Sequence, residues 1–548
     1  EEWASTLERT VTAHERVARD REAEREADRS QWTADRSQWT AESRVLAQEL
    51  AAVEKRLART LDAARPEKMV KRHEKGFRSA RENIEDLCDS DSFIEYGQLV
   101  VAAQRQRREL DDLIDNTPAD GLVAGFGSIN GDEFSEDQAR AAVLAYDYTV
   151  LAGTQGAFNH KKTDRVLELA QDWQAPIVFF TEGGGGRPGD TDFAKVQGST
   201  LDVMTFATFA KASGVAPRVA VNNGYCFAGN AVLFGCADVT IATKSSYIGM
   251  GGPAMIEGGG LGSWKPQDIG PVSVHRENGV VDIAVTDEAE ATLMAKRVLA
   301  CVQGSMADWQ VADQSELAAL MPTNRRYAFD VRKIIRHLFD TESFIETRPD
   351  MGRAIITGLA RVEGRAVAVL ASDCRHLGGA IDGESATKAA ALYQLAERWR
   401  LPVVSLIDTP GFMVGPESEA EGAPRLMSDL FIAGATLTQP IVAIFLRRAY
   451  GLGAMAMTGG SFEVPRYAVS WPQGEFGAMG LEGAVHLGFR QELAEAPDEG
   501  ARQALYDKLL AEMYDKGRAV EAASYLEIDA VIQPEETRAA ISRALVAS

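Results

Sequence analysis

The chain has 548 residues, 45% of them hydrophobic, and a net charge of −22. That length supports two or three domains with proper cores, and the acidic balance argues against nucleic acid as the main partner while leaving room for an anionic ligand met by local lysines and arginines. Five cysteines stand far apart with no C-x-x-C pair, so neither a disulfide framework nor a zinc ribbon is expected, and a reduced, cytoplasmic setting is.

Residues 1–65 are rich in Ala, Glu, Arg and Gln and hold no glycine or proline, which predicts a helical N-terminal extension. Within it the heptad Ala27–Thr33 is repeated at Ala34–Thr40, putting Trp32 and Trp39 seven apart on one face of a solvated or docking helix. The chain opens on Glu1 and not on methionine, as a piece of a longer polypeptide would. No apolar run reaches the roughly 18 residues of a membrane helix, so no membrane partner is expected.

After Pro66, short apolar runs alternate with helical stretches. Residues 178–180, 219–221, 239–242, 367–370, 403–407 and 441–446 read as buried strands. The segments Thr163–Trp173 and Ala386–Trp399 read as helices between them. The class is therefore α/β with layered sheets.

The second half repeats the first. Lys162 stands fourteen positions before Pro176, and Lys388 fourteen before Pro402; Ser92-Phe93-Ile94-Glu95 recurs as Ser343-Phe344-Ile345-Glu346, and Ala216–Gly229 answers Gln439–Gly453. A repeat unit of that length is a domain duplication and not a solenoid, whose units run to roughly 20–50 residues. The expected organisation is an N-terminal extension (1–65), a first copy (66–320) and a second copy (321–548), with Met321–Phe339 as the seam.

Two turns in each copy carry candidate chemistry. The strand at 177–180 runs into Thr181-Glu182-Gly183-Gly184-Gly185-Gly186-Arg187, and its counterpart runs into Asp408-Thr409-Pro410-Gly411-Phe412. Glycine-rich turns leave backbone N–H groups open to a ligand. A second turn class follows the next strand, at Gly224–Ala231 and at Tyr450–Met455. Small residues entering a helix there bring N–H donors close to a bound group, where they can hold a developing oxyanion.

Gly224–Ala231 resembles the crotonase-superfamily turn, and the doubled arrangement resembles the carboxyltransferase component of biotin-dependent acyl-CoA carboxylases. Six motifs in order carry the likeness: Ala64–His73, Ser79–Ile84, Ser92–Glu95, Gly183–Asp190, Pro410–Gly415 and Arg448–Met457. It covers the chain from about Ala64 onward and implies two tandem crotonase-like (ββα-spiral) domains. It also implies transfer of a carboxyl group from carboxybiotin, carried on a separate domain or protein, to the α carbon of an acyl-CoA through enolates held by two oxyanion holes. Ala228 and Gly229 would donate to the thioester oxygen, Leu452 and Gly453 to biotin, with Gly184, Gly185, Gly411 and Phe412 along the adjoining walls. Lys161, Lys162 and Arg187 would meet the CoA phosphates.

No metal and no side-chain nucleophile are called for, and His160 and His376 read as ordinary histidines. The chain lacks an A-M-K-M biotin-attachment sequence and an ATP-binding P-loop. Biotin carboxylase and biotin carboxyl carrier domains are therefore expected partners, and the resemblance implies a homo-hexamer. Many relatives read S-G-G-A-R where this chain reads G-G-G-G-R. Short-acyl relatives often carry a tyrosine and an aspartate where Ala454 and Met455 stand, which implies a roomier, more apolar acyl pocket. Two other readings share the architecture: a biotin-dependent decarboxylase subunit, and a non-catalytic assembly subunit built around the N-terminal helix.

Overall fold

The computed structural model describes residues 19, 21–23, 25, 26, 41–192 and 201–546. The duplicated heptads, with Trp32 and Trp39, lie outside the described residues. The chain divides into two units, Glu1–Arg65 and Pro66–Ser548. The first contains the helix Ala41–Ala58, as its Ala, Glu, Arg and Leu content favours.

The second unit holds both sequence copies, and each copy builds a sheet of the same plan. In the first, the strands Ile94–Glu95, Leu122–Ser128, Arg140–Tyr146, Ile177–Phe180, Arg218–Asn222, Val239–Thr243 and Ile283–Val285 lie side by side in chain order. In the second, the order is Ile345–Thr347, Ile355–Val362, Arg365–Ser372, Val403–Thr409, Ile441–Tyr450, Tyr467–Ser470 and Ala530–Val531. Both sheets begin with two antiparallel pairs and continue with parallel ones. The six strands expected from apolar runs are all present, because parallel strands covered on both faces need unbroken apolar sequence.

Sequence reading missed the paired strands Leu122–Ser128 and Ile355–Val362. Their apolar runs are broken by Gly125 and Gly358, and the fold explains both glycines. A Cβ on Gly125 would collide with the Ile94 carbonyl, and one on Gly358 with the Ile345 carbonyl. The short first strand of each sheet crosses so closely that only glycine fits beneath it.

The lysines that mark the repeat serve the same strands. Lys162 is buried and donates to the Leu122 carbonyl, while Lys388 donates to Ile355 O at 2.8 Å and to Met351 O at 3.1 Å. Beside each lies an ion pair from the same repeat positions, Arg81 to Glu95 (2.8 Å) and Arg332 to Glu346. Each copy thus pins its second strand with an interior arginine, glutamate and lysine.

One hydrophobic core spans both copies. It joins Val143, Val178, Val219 and Ile283 to Ile355, Leu370, Val403 and Ile441 through the helices Glu288–Gln303 and Gly383–Trp399. Helix Glu288–Gln303 touches strands of both sheets. Met321–Phe339, the expected join of the two copies along the chain, gives Val331, Ile334, Ile335 and Leu338 to a second core that also holds Leu317, since the helix Val331–Leu338 has an apolar stripe that the second sheet covers.

Candidate functional site

Each copy brings its glycine turn against the start of a short helix. In the first, Glu182–Arg187 follows the strand Ile177–Phe180 and meets the helix Gly229–Gly235; in the second, Asp408–Phe412 meets the helix Gly451–Ala456. Gly185 and Gly411 both take positive φ (87° and 114°), and so do the residues entering the helices, Ala228 (50°) and Gly451 (59°). A Cβ on Gly185 would lie 3.1 Å from Phe227 O, and one on Gly411 3.3 Å from Tyr450 O. The strand pairs Phe227 with Gly249 and Tyr450 with Gly477, which sets the register: Ala228 matches Gly451, Gly229 matches Leu452 and Asn230 matches Gly453.

That register decides which N–H groups are available. Gly184 N–H donates to Ala152 O (3.0 Å), Gly185 N–H to Asn230 Oδ1 (3.0 Å) and Gly411 N–H to Thr409 Oγ1 (3.1 Å). Ala228 N–H donates to Gly249 O at 2.9 Å, so the expected donation from Ala228 to a thioester is corrected: its hydrogen closes the strand pair before the helix. Among the described residues, the N–H groups of Gly186, Gly229, Phe412 and Leu452 donate to no protein group. These occupy the same two positions in each copy.

The Gly453 N–H, expected as a donor, likewise meets no acceptor among the described residues, and Gly453 acts as well by what it lacks. A Cβ there would sit 2.9 Å from the Phe412 nitrogen and 2.7 Å from the Gly411 carbonyl carbon. Glycine lets helix and turn approach and leaves the Phe412 N–H uncovered.

The turns are held from behind by carboxylates that sequence reading passed over. Glu182 and Asp408 are equivalent, each three residues before the positive-φ glycine, and both are buried. Glu182 receives both arms of Arg72, one at 3.0 Å. Burial raises its pKa, with Arg72 opposing. Asp408 lies between Arg447 (2.7 Å) and Arg448 (2.9 Å). Burial pushes its pKa up, but the hydrogen bonds from Arg448 and Arg447 win and hold it below the usual carboxylate range. An acidic residue closing a buried strand three positions ahead of a glycine was the available signal.

The basic residues expected at phosphates divide. Lys161 is exposed. Lys162 serves the Leu122 carbonyl, and the Arg187 guanidinium, 4% exposed, is bound to Asp120 (2.5 Å) and to Thr154 O (2.8 Å). Neither Lys162 nor Arg187 is turned to receive a phosphate, because each already satisfies a buried acceptor. Ala454 is fully buried, whereas Met455 lines a cavity of about 520 Å³ with Ala449, Phe462, Phe476, Ala522 and Tyr525. His160 is buried against Thr205 Oγ1 at 2.9 Å, and burial lowers its pKa to about 4.

Two sheets of one plan, each presenting unengaged amides where a turn meets a helix, define tandem crotonase-like domains. The chain belongs to the carboxyl transferase domain family, whose model matches residues 71–548, and is thereby a carboxyltransferase of the biotin-dependent acyl-CoA carboxylase class. It is 29% identical over 524 residues to the propionyl-CoA carboxylase beta chain of Saccharopolyspora erythraea, covering 91% of this chain and 92% of that one. A solved single-chain, multi-domain long-chain acyl-CoA carboxylase is 52% identical with a TM-score of 0.85. That match covers 90% of this chain and 48% of the other, so this chain spans about half its length. The transcarboxylase 12S, solved as a hexamer with methylmalonyl-coenzyme A and methylmalonic acid bound, is 27% identical with a TM-score of 0.79, covering 93% and 95%. Among the described residues, no helix is long and apolar enough to cross a membrane.

Proposed function

We propose that this chain transfers a carboxyl group between carboxybiotin, delivered on a carrier domain, and the α carbon of an acyl-CoA. The observation that carries the reading is the matched set of unengaged amides. In it Gly186 and Gly229 serve the thioester oxygen, and Phe412 and Leu452 serve the ureido oxygen of biotin. The donor set suits that group: two N–H hydrogens, one beside a half-buried phenyl ring and one on an exposed residue, can meet a single oxygen of a shallow bicyclic ligand. Biotin, when bound, supplies the carboxyl to be transferred and, after its loss, a site for the α-proton.

The protein's part is to hold negative charge where it develops. On one acyl oxygen, Gly186 and Gly229 lower the cost of removing the α-proton; Glu182 and Asp408, fixed by their arginines, keep the turns from relaxing. No side chain need be attacked. Lys161 remains as the surface cation for the CoA phosphates.

An acyl group longer than propionyl is supported by the 52% identity to a long-chain carboxylase and by the cavity beside Met455, whose lining mixes Phe462, Phe476 and Tyr525 with Glu463, Lys516 and Glu527. Biotin carboxylase and biotin carboxyl carrier domains are the proposed partners. A hexamer is proposed from the likeness to transcarboxylase 12S. Five free thiols, four of them buried, suit a cytoplasmic setting.

The test is biotin-dependent decarboxylation of malonyl-type CoA thioesters without ATP or added metal, with acyl chains from C2 to C16. Turnover rising with chain length is expected, since each buried CH₂ contributes about 0.8 kcal/mol. No turnover at any length overturns the reading; a preference for acetyl- or propionyl-CoA overturns its acyl specificity.

A further inference from the structure

The two copies lock the same turn with different side chains. In the second copy the Gly411 N–H is accepted by Thr409 Oγ1 at 3.1 Å, and the position across the turn is Gly453. In the first copy the residue equivalent to Thr409 is Gly183, and the residue equivalent to Gly453 is Asn230. There the Gly185 N–H is accepted by Asn230 Oδ1 at 3.0 Å, while Asn230 Nδ2 donates to Thr181 O at 3.2 Å. A Cβ on Gly183 would collide with the Asn230 amide and with Gly153 O. The acceptor has thus moved from one side of the turn to the other, and the vacated position has become glycine in each copy.

We propose that Asn230 is a positioning residue for the first-copy site, setting the direction of the unengaged Gly186 N–H. The fixing is two-sided. Asn230 Oδ1 holds the N–H of Gly185, in the peptide before its α carbon, and the Gln155 N–H donates to the Gly185 carbonyl at 2.8 Å, in the peptide after it, so both peptides flanking Gly185 are held and the Gly186 N–H, trans to that carbonyl, is aimed. The equivalent carbonyl, Gly411 O, accepts from Ile381 N–H at 3.0 Å. Asn230 is fully buried and touches the turn, not the space in front of it. It therefore acts on the donor and leaves substrate binding alone. Thr409 does the same for Phe412 in the second copy. The inference rests on the carboxyltransfer reading above.

The experiment compares Asn230→Ala, Asn230→Asp, Thr409→Val and Thr409→Ser in the full chain, using malonyl-type CoA decarboxylation with free biotin, and acyl-CoA α-proton exchange into D₂O. Asn230→Ala is expected to lower kcat and α-proton exchange roughly 10- to 100-fold, less than deletion of a donor outright, with KM for the acyl-CoA within about threefold and the melting temperature close to wild type. Asn230→Asp keeps an oxygen for the Gly185 N–H but puts charge beside the developing oxyanion. Its rate relative to wild type should rise as pH falls and the buried carboxyl takes up a proton. A purely structural role would not produce that pH profile, and Asn230→Asp, equal in size to the wild-type residue, carries the test should Asn230→Ala fold poorly. Thr409→Val should impair the biotin-dependent reaction, and α-proton exchange with it because biotin receives that proton, while KM for the acyl-CoA stays within about threefold and Thr409→Ser remains close to wild type.

An active wild-type enzyme equalled by Asn230→Ala, or an Asn230→Asp rate that parallels wild type across pH, overturns the inference alone. An inactive wild type overturns the carboxyltransfer reading and this inference with it.

Discussion

At the scale of single residues, the site depends on atoms that are absent. Gly453 matters because a Cβ would press on the Gly411–Phe412 peptide and cover its N–H. Gly453→Ala should therefore reduce biotin-dependent turnover by about 10²–10³, the loss expected when one oxyanion donor is removed, while acyl-CoA affinity by calorimetry stays within twofold. Gly186 is the converse case: its Cβ position is open space and its φ is not positive. Gly186→Ala should leave kcat within about threefold, and a 100-fold loss would show that the turn is more crowded than its geometry allows. Burial also raises the thiols of Cys88 and Cys226 to about 12 and that of Cys301 to about 11. A thiol reagent at pH 8 should reach Cys236, the partly exposed cysteine, before the other four.

Strands and helices are positioned by charges placed inside the fold. Burial lowers the Lys388 pKa from 10.5 to about 7 and that of Lys162 to about 8, with Glu346 and Glu95 opposing. The sign of the consequence follows from which state holds the proton. Between pH 7 and 10.5 the unfolded chain binds a proton that folded Lys388 has released, so this residue makes stability rise with pH across that window. Lys388→Met should flatten that rise, measured by denaturant midpoints from pH 7 to 10, and an unchanged slope would refute the assignment. Asp408 tilts stability in the same direction, but at acid pH. Its pKa is depressed in the folded state, so its contribution is present at neutral pH and is lost as pH falls through the folded value.

Over the molecule as a whole, one core joins both copies through helix Glu288–Gln303. Leu299 in that helix is fully buried, and Leu299→Ala should cost about 2–5 kcal/mol. Because the core is shared, calorimetry should show residues 66–548 melting in one transition that moves down as a unit. Two separated peaks, with only one displaced, would mean that the copies fold independently. The paired turns are a product of the same duplication: the same sheet order presents two turns of one design, which differ in the side chain that holds each turn.

Much of this was determined by the sequence alone. The buried parallel strands, the duplication and the family are local or periodic patterns, because apolar runs, repeat spacing and glycine turns are written in consecutive residues. Lys162 and Lys388 announced the repeat by position, yet their work of satisfying carbonyls at the head of another strand depends on partners 33 or 40 residues away. The same holds for Arg187, which reads as a surface cation and is spent on Asp120. Which amides are open could be decided only by tertiary structure, because an N–H is available only if the folded chain brings no acceptor to it. Ala228 lost its place to a carbonyl 21 residues further along, and Gly186 gained one because none arrives.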